Sequence, residues 1–132
     1  MSKRLFVYGT LMKAAQHERH AFLALRGRFL SNGSIQGNLF FVTTYPGAIL
    51  SSAAQDTVDG EVYELEYPEE SFATLDDYEE CSSRFAEPTQ YVRQRVQVTL
   101  PNGKAMEAWT YLYSWPVNHL KRITSGRFQA LS

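Results

Sequence analysis

The chain of 132 residues has one cysteine, Cys81, so no internal disulfide can staple it. A lone thiol suits a reducing cytoplasm. No apolar run approaches the roughly 18 residues of a bilayer-spanning helix. The opening MSKRLFVYG carries two basic residues, but its apolar run breaks off at once, so it does not read as a signal peptide. Net charge is only −1, which gives no reason to expect nucleic acid as a partner. Neither a Walker loop nor a three-glycine dinucleotide fingerprint is present; VYGTL has one glycine. Repeats, low-complexity tracts and linkers are missing as well. Residues 1–132 therefore read as one domain, and the 44% apolar and 14% aromatic content supplies a core.

What charge there is lies unevenly. Met1 to Arg28 holds six basic residues and one acid, while Asp59 to Glu80 holds ten acids and no base. The plain reading is two solvated faces that complement each other in the fold. The sharper one places one of those acids off the surface.

Hydrophobic patterning gives about six strands and two helices. RLFVY at 4–8 reads as a short buried strand ending at glycine. Residues 12–26 lack Gly and Pro and favour helix. Residues 28–42 hold two strand-like runs around the turn signal SNGS, and TTYPGAIL a Pro-Gly turn before a short apolar run. VDGEVYELE at 58–66 suggests a mostly one-sided strand, and Pro68 opens a helix running to about Glu80. Tyr91 to Leu100 alternates, with Val92, Gln94, Val96 and Val98 on one side. Asn102-Gly103 turns it into a strand over 105–113. The fold class expected is α+β: a mixed sheet curled into a small barrel around a pocket, with helices at its sides.

Candidate chemistry is sparse. His17 and His20 lie three apart on the first helix, yet no third ligand follows at a sensible spacing, and no metal is expected. Cys81 has no CxxC partner. The segment SFATLDDYEEC is more informative. On a helical wheel with Phe72 at zero, Leu75 and Tyr78 extend one apolar face, and Glu79 falls about 20° from Phe72, inside it. Asp76, Asp77 and Glu80 are expected to point away. An inward carboxylate is costly unless paired, protonated or in use. Either a salt bridge or a frayed helix end accounts for Glu79, and so does a general acid–base role with a pKa raised by partial burial. VYGTL is complementary: a strand that ends in Gly-Thr before a helix exposes backbone N–H groups, which suit a carboxylate or an oxyanion. Thr10 as a plain helix cap is the simpler alternative.

Taken together, these residues resemble the gamma-glutamylcyclotransferase-like family, particularly its small gamma-glutamylamine cyclotransferase type. The resemblance is carried in order by VYGTL at 7–11, YPG at 45–47, VDGEVYEL at 58–65, LDDYE at 75–79 and YVR with its strand at 91–98. It implies a small mixed barrel with surrounding helices and a pocket at one end. Tyr8, Gly9, Thr10 and Leu11 would hold a gamma-glutamyl group through their backbone, and Glu79 would be the catalytic acid–base. An aromatic of the last strand, Tyr113 in preference to Tyr111, would line the pocket. The family usually has glycine after that glutamate, where this chain has Glu80.

The implied reaction closes the substrate's α-amine onto its own γ-amide carbonyl. It releases 5-oxoproline and a free amine or amino acid, and it needs no cofactor, because nucleophile and electrophile share one molecule. The alternatives are a non-catalytic member that binds a small molecule or a protein through the same pocket, and a hydrolase in which water attacks instead. The sequence singles out no oligomeric surface, no membrane partner and no particular leaving amine.

Overall fold

The computed structural model describes residues 3–12 and 20–128. Strand β1 (Arg4–Val7) leads to helix α1 (His20–Arg26), which runs directly into strand β2 (Gly27–Phe41). Strands β3 (Pro46–Leu50) and β4 (Thr57–Leu65), helix α2 (Pro68–Tyr78), and the hairpin β5 (Tyr91–Thr99) and β6 (Ala105–Tyr113) follow. A two-residue strand, β7 (Lys121–Arg122), lies near the end. The first half of the helix expected over 12–26, with His17, lies outside the described residues.

Hydrogen bonding runs β2–β4–β1–β6–β5 and returns to β2, so five strands close into a barrel. All neighbours are antiparallel except β1 and β6, which run parallel. Beyond the barrel, the far end of β2 carries β3 along one edge and β7 along the other. The α+β barrel with flanking helices is thus the observed architecture.

The closure explains one departure from the sequence reading. SNGS is not a turn: Ser31 to Ser34 sit inside β2, opposite Val62 to Asp59, and Ser34 pairs with Thr99 to shut the ring. A Cβ on Gly33 would lie 2.5 Å from Val98 Cγ1, so glycine is present to let two strands meet, not to reverse the chain. The strand instead takes up its irregularity earlier, at a bulge between Phe29 and Ser31. The Pro-Gly signal also shifts. The turn falls at residues 42–45, where the Val42 N–H donates to the Tyr45 carbonyl, and Pro46 opens β3. By contrast Asn102-Gly103 turns the β5–β6 hairpin as expected, with Gly103 at φ 84.

Strand β4 is buried along nearly all its length, not on one side. Its odd-numbered side chains are covered as well: the Tyr63 ring meets His20 of α1 at 5.9 Å and Phe29 at 5.6 Å. Consequently Glu61 is an interior acid, 6% exposed, and accepts a hydrogen bond from the Tyr63 hydroxyl at 2.9 Å. Strand β5 keeps its alternation but is buried on two faces in turn. Val96 and Val98 enter the core, whereas nearer its start Tyr91 is buried and Val92 is exposed. One pair joins the two charge clusters directly: Arg28 meets Glu64 at 3.3 Å near the surface. Three of the acids pair with later arginines: Asp59 with Arg127, Asp76 with Arg93 and Asp77 with Arg84.

Helix α2 buries Ser71, Phe72 and Leu75, and Tyr78 is half exposed, edge-on to Phe22 of α1 at 6.0 Å. The helix stops in a defined way. Glu79 is the C-cap, Glu80 takes the left-handed conformation at φ 55, the Cys81 N–H donates to the Asp76 carbonyl at 2.9 Å, and the Glu80 N–H donates to that of Asp77 at 3.1 Å. This is the Schellman arrangement, in which the residue after the cap favours glycine. Replacing Glu80 with glycine should therefore raise unfolding stability by about 1 kcal/mol. Urea titration of the two proteins checks this, with a raised midpoint expected.

Candidate active site

The end of β1 and the end of α2 meet across a cavity of about 200 Å³. One wall is the backbone turn from Tyr8 to Leu11, and another is Glu79 with Glu80. Tyr45, Pro46, Gln90, Tyr91, Thr110 and Tyr111 are among its other lining residues. Residues nearly seventy positions apart are thus neighbours because β1 is a central strand and α2 packs over the sheet to one side of it.

The turn is held by its carbonyls. Gly9 O accepts from the Met12 N–H at 3.0 Å, and Leu11 O lies 3.0 Å from His20 Nδ1. Gly9 has no positive φ. Its constraint is steric: a Cβ there would come within 2.9 Å of the Pro46 ring, so YGTL and YPG pack directly against each other. Tyr8 fixes the same junction. Its buried hydroxyl donates to the Tyr111 carbonyl at 2.5 Å and accepts from the Ala48 N–H at 3.2 Å, linking β1 to β6 and β3. Tyr91 donates to the Pro46 carbonyl at 2.7 Å, and Tyr45 and Gln90 hydrogen-bond across the wall at 3.1 Å.

Three of the phenols, Tyr8, Tyr91 and Tyr111, remain protonated. Burial pushes the Tyr8 and Tyr91 hydroxyls well above the usual tyrosine range, and the nearby Glu79 carboxylate adds to both shifts. Burial likewise raises Tyr111, and its hydrogen bond to Asp76 raises it further. Glu79 itself is half-buried, its N–H donating to the Leu75 carbonyl at 2.9 Å. The cavity thus joins a carboxylate to neutral hydroxyl groups and a backbone turn, the inventory for positioning a small polar molecule and moving a proton.

Tyr8, Gly9, Thr10, Leu11 and Glu79 all line this cavity; Tyr113 does not, and Tyr111 takes its place. Tyr113 lies two pairs further along the hairpin, edge-on to Tyr91 at 5.5 Å and beside Trp115. Glu80, expected to point away, is on the wall. The ideal wheel fails there because the chain leaves helical geometry at Glu79.

Asp76 is the residue sequence reasoning missed. It accepts from Arg93 Nε at 2.9 Å and from Nη2 at 3.4 Å, and from the Tyr111 hydroxyl at 2.7 Å. Arg93 is stacked between Phe72 and Trp109, with its guanidinium carbon 4.5 and 4.6 Å from the two ring centres. On the wheel Asp76 lies only about 40° from Phe72. That signal, read with an arginine on the neighbouring strand, could have found the pair. His20 is engaged by Leu11, and among the described residues no three potential metal ligands converge.

Residues 5–130 match the family described as gamma-glutamyl cyclotransferase, AIG2-like. The chain belongs to that family. A curated relative, the gamma-glutamylcyclotransferase family protein YtfP of Escherichia coli K12, is 34% identical over 125 residues, 93% of each chain. Among solved structures, YkqA of Bacillus subtilis superposes with a TM-score of 0.71 at 26% identity; the match covers 97% of this chain and 40% of that one. An AIG2-like protein of Mus musculus gives 0.67 at 23% identity, over 85% of this chain and 77% of its own, a likeness of fold. No helix among the described residues is long and apolar enough to cross a membrane.

Two outcomes follow from the packing around α2. Asp76→Ala leaves the Arg93 guanidinium without its partner beneath the helix. With both side chains about one-fifth exposed, the loss should be about 2 kcal/mol, short of the cost for a fully buried pair; urea unfolding measures it. Burial, with the Asp76 and Glu79 charges, raises the Cys81 thiol to about 11. Its alkylation by iodoacetamide at neutral pH should run about a hundredfold slower than in the unfolded chain. Mass spectrometry of the single thiol reads that difference.

Proposed function

We propose that the protein is a gamma-glutamyl cyclotransferase that converts a gamma-glutamyl compound to 5-oxoproline and a free amine or amino acid. The observation that carries this reading is the half-buried Glu79 facing the Tyr8–Leu11 turn across one small cavity. The backbone N–H groups of that turn hold the gamma-glutamyl carboxylate and carbonyl oxygen. Glu79 takes a proton from the α-amine as its nitrogen attacks the γ-carbonyl carbon. The same proton then passes to the departing nitrogen as the C–N bond breaks, so nothing else is consumed.

The chemistry constrains the acid–base group. The α-amine has a reference pKa of about 7.7–8.0 and a free glutamate about 4.3, so a fully solvated carboxylate would be a weak base for it. The half-buried site must therefore hold the amine and the Glu79 carboxylate in contact for the transfer. The turn amides meet the charge that develops on the carbonyl oxygen. The substrate supplies nucleophile and electrophile together, so the cavity's main task is to hold the cyclising conformer. The tyrosine hydroxyls, fixed and protonated, suit that task, and Tyr111 contributes to the wall in the role first assigned to Tyr113. The lone protonated Cys81 fits the reducing cytoplasm in which such a single-domain enzyme would work.

Glu79→Gln should lower turnover by about a thousandfold, the range of a lost general acid–base group, while 5-oxoproline still binds. The assay follows 5-oxoproline by mass from gamma-glutamyl-lysine, gamma-glutamyl amino acids and glutathione. Undiminished turnover by the variant would remove Glu79 from the mechanism. Glutamate as the product would instead show that water attacks.

A further inference from the structure

We propose that Glu80 is a specificity-determining residue, selecting gamma-glutamyl compounds whose leaving amine bears a further positive charge, such as gamma-glutamyl diamines. The inference rests on the cyclotransferase reading of the cavity and adds the chemical class of the released group.

Local folding gives no reason for glutamate at this position. Its φ of 55 lies in the left-handed region, where every residue with a Cβ is disfavoured. Its N–H closes the helix end through the backbone alone, a bond that glycine would make equally well. Nor does an ion pair occupy the carboxylate among the described residues. The side chain is exposed to solvent and borders the cavity beside Glu79.

Charge in the cavity then favours one kind of ligand. Glu80 places on the described wall a carboxylate that no described lysine or arginine pairs, and the Tyr8, Tyr91 and Tyr111 hydroxyls there stay neutral. A carboxylate on a concave wall concentrates its field in the cleft. With the gamma-glutamyl end at the Tyr8–Leu11 turn and the scissile nitrogen at Glu79, the adjoining Glu80 faces what the nitrogen carries. A second ammonium there is attracted, whereas the carboxylate of a released amino acid is repelled.

Three substrates of equal length separate these effects: gamma-glutamyl-1,4-diaminobutane, gamma-glutamyl-butylamine and gamma-glutamyl-4-aminobutyrate, with a cationic, neutral and anionic leaving group. For the unaltered protein kcat/KM should fall in that order, with about tenfold between cationic and neutral at low ionic strength, shrinking as salt is raised. In Glu80→Gln and in Glu80→Gly the cationic-to-neutral ratio should drop to within about threefold of unity. Glycine suits the backbone here, so the second variant keeps the helix end formed. A ratio unchanged in both variants overturns the proposal. The same ligands are titrated calorimetrically against Glu79→Gln with and without Glu80→Gln. If no substrate is converted by the unaltered protein, the cyclotransferase reading fails; the affinity ratio still decides Glu80, which is refuted if that ratio is the same with and without it.

Discussion

The hydroxyl of Tyr8 holds three strands at one point. It donates to the Tyr111 carbonyl of β6 and accepts from the Ala48 N–H of β3, while its own backbone continues β1. A phenolate could not do both, so the arrangement requires a protonated tyrosine. Burial ensures this by making ionisation expensive. Beyond that bond the chain turns through Gly9 to Met12, and its course is fixed by where Tyr8 ends. The Pro46 ring then closes in over Gly9. One side of the cavity is thus determined by a single buried hydroxyl and a glycine that lets a proline approach.

The opposite side is set by the end of α2. Asp76 lies one turn before the cap and is gripped by Arg93 and Tyr111, both on the barrel hairpin. Arg93 is in turn confined between two aromatic rings. The backbone bonds that finish the helix then direct Glu79 and Glu80 onto the cavity wall. Tyr111 belongs to both sides: its carbonyl receives Tyr8, and its hydroxyl reaches Asp76. The spacing between the proposed acid–base group and the turn is therefore transmitted through one residue of β6.

Much of this was legible in the sequence. The barrel and its helices followed from short apolar runs, Pro68 and the Asn102-Gly103 turn. The wheel placed Glu79 toward the interior, and the resemblance joined it to VYGTL. The losses have a common cause. SNGS and the Pro-Gly pair carry strong local turn signals, but Gly33 serves strand closure and Pro46 begins a strand, and both depend on partners distant in sequence. Asp76 looked solvated because its partners lie 17 and 35 residues away. Glu80 was misplaced because an ideal wheel continues past the residue where the real helix stops. Tyr111 and Tyr113 share a strand face, and only the packing of Tyr113 on Tyr91 and Trp115 separates them.

Strand β2 is 15 residues long, about 50 Å at the usual rise. Its first part belongs to the barrel wall, and its last five residues carry β3. Pro46 and Ala48, which press on the Tyr8–Gly9 junction, therefore hang from a cantilever rooted in the barrel. For β3 to swing away, that beam would have to bend against the antiparallel ladder along its root. The flexural stiffness of one strand thus joins the Tyr8 and Tyr91 hydrogen bonds in setting the cavity's width on this side, in the manner of a spring clip rather than a door on a hinge.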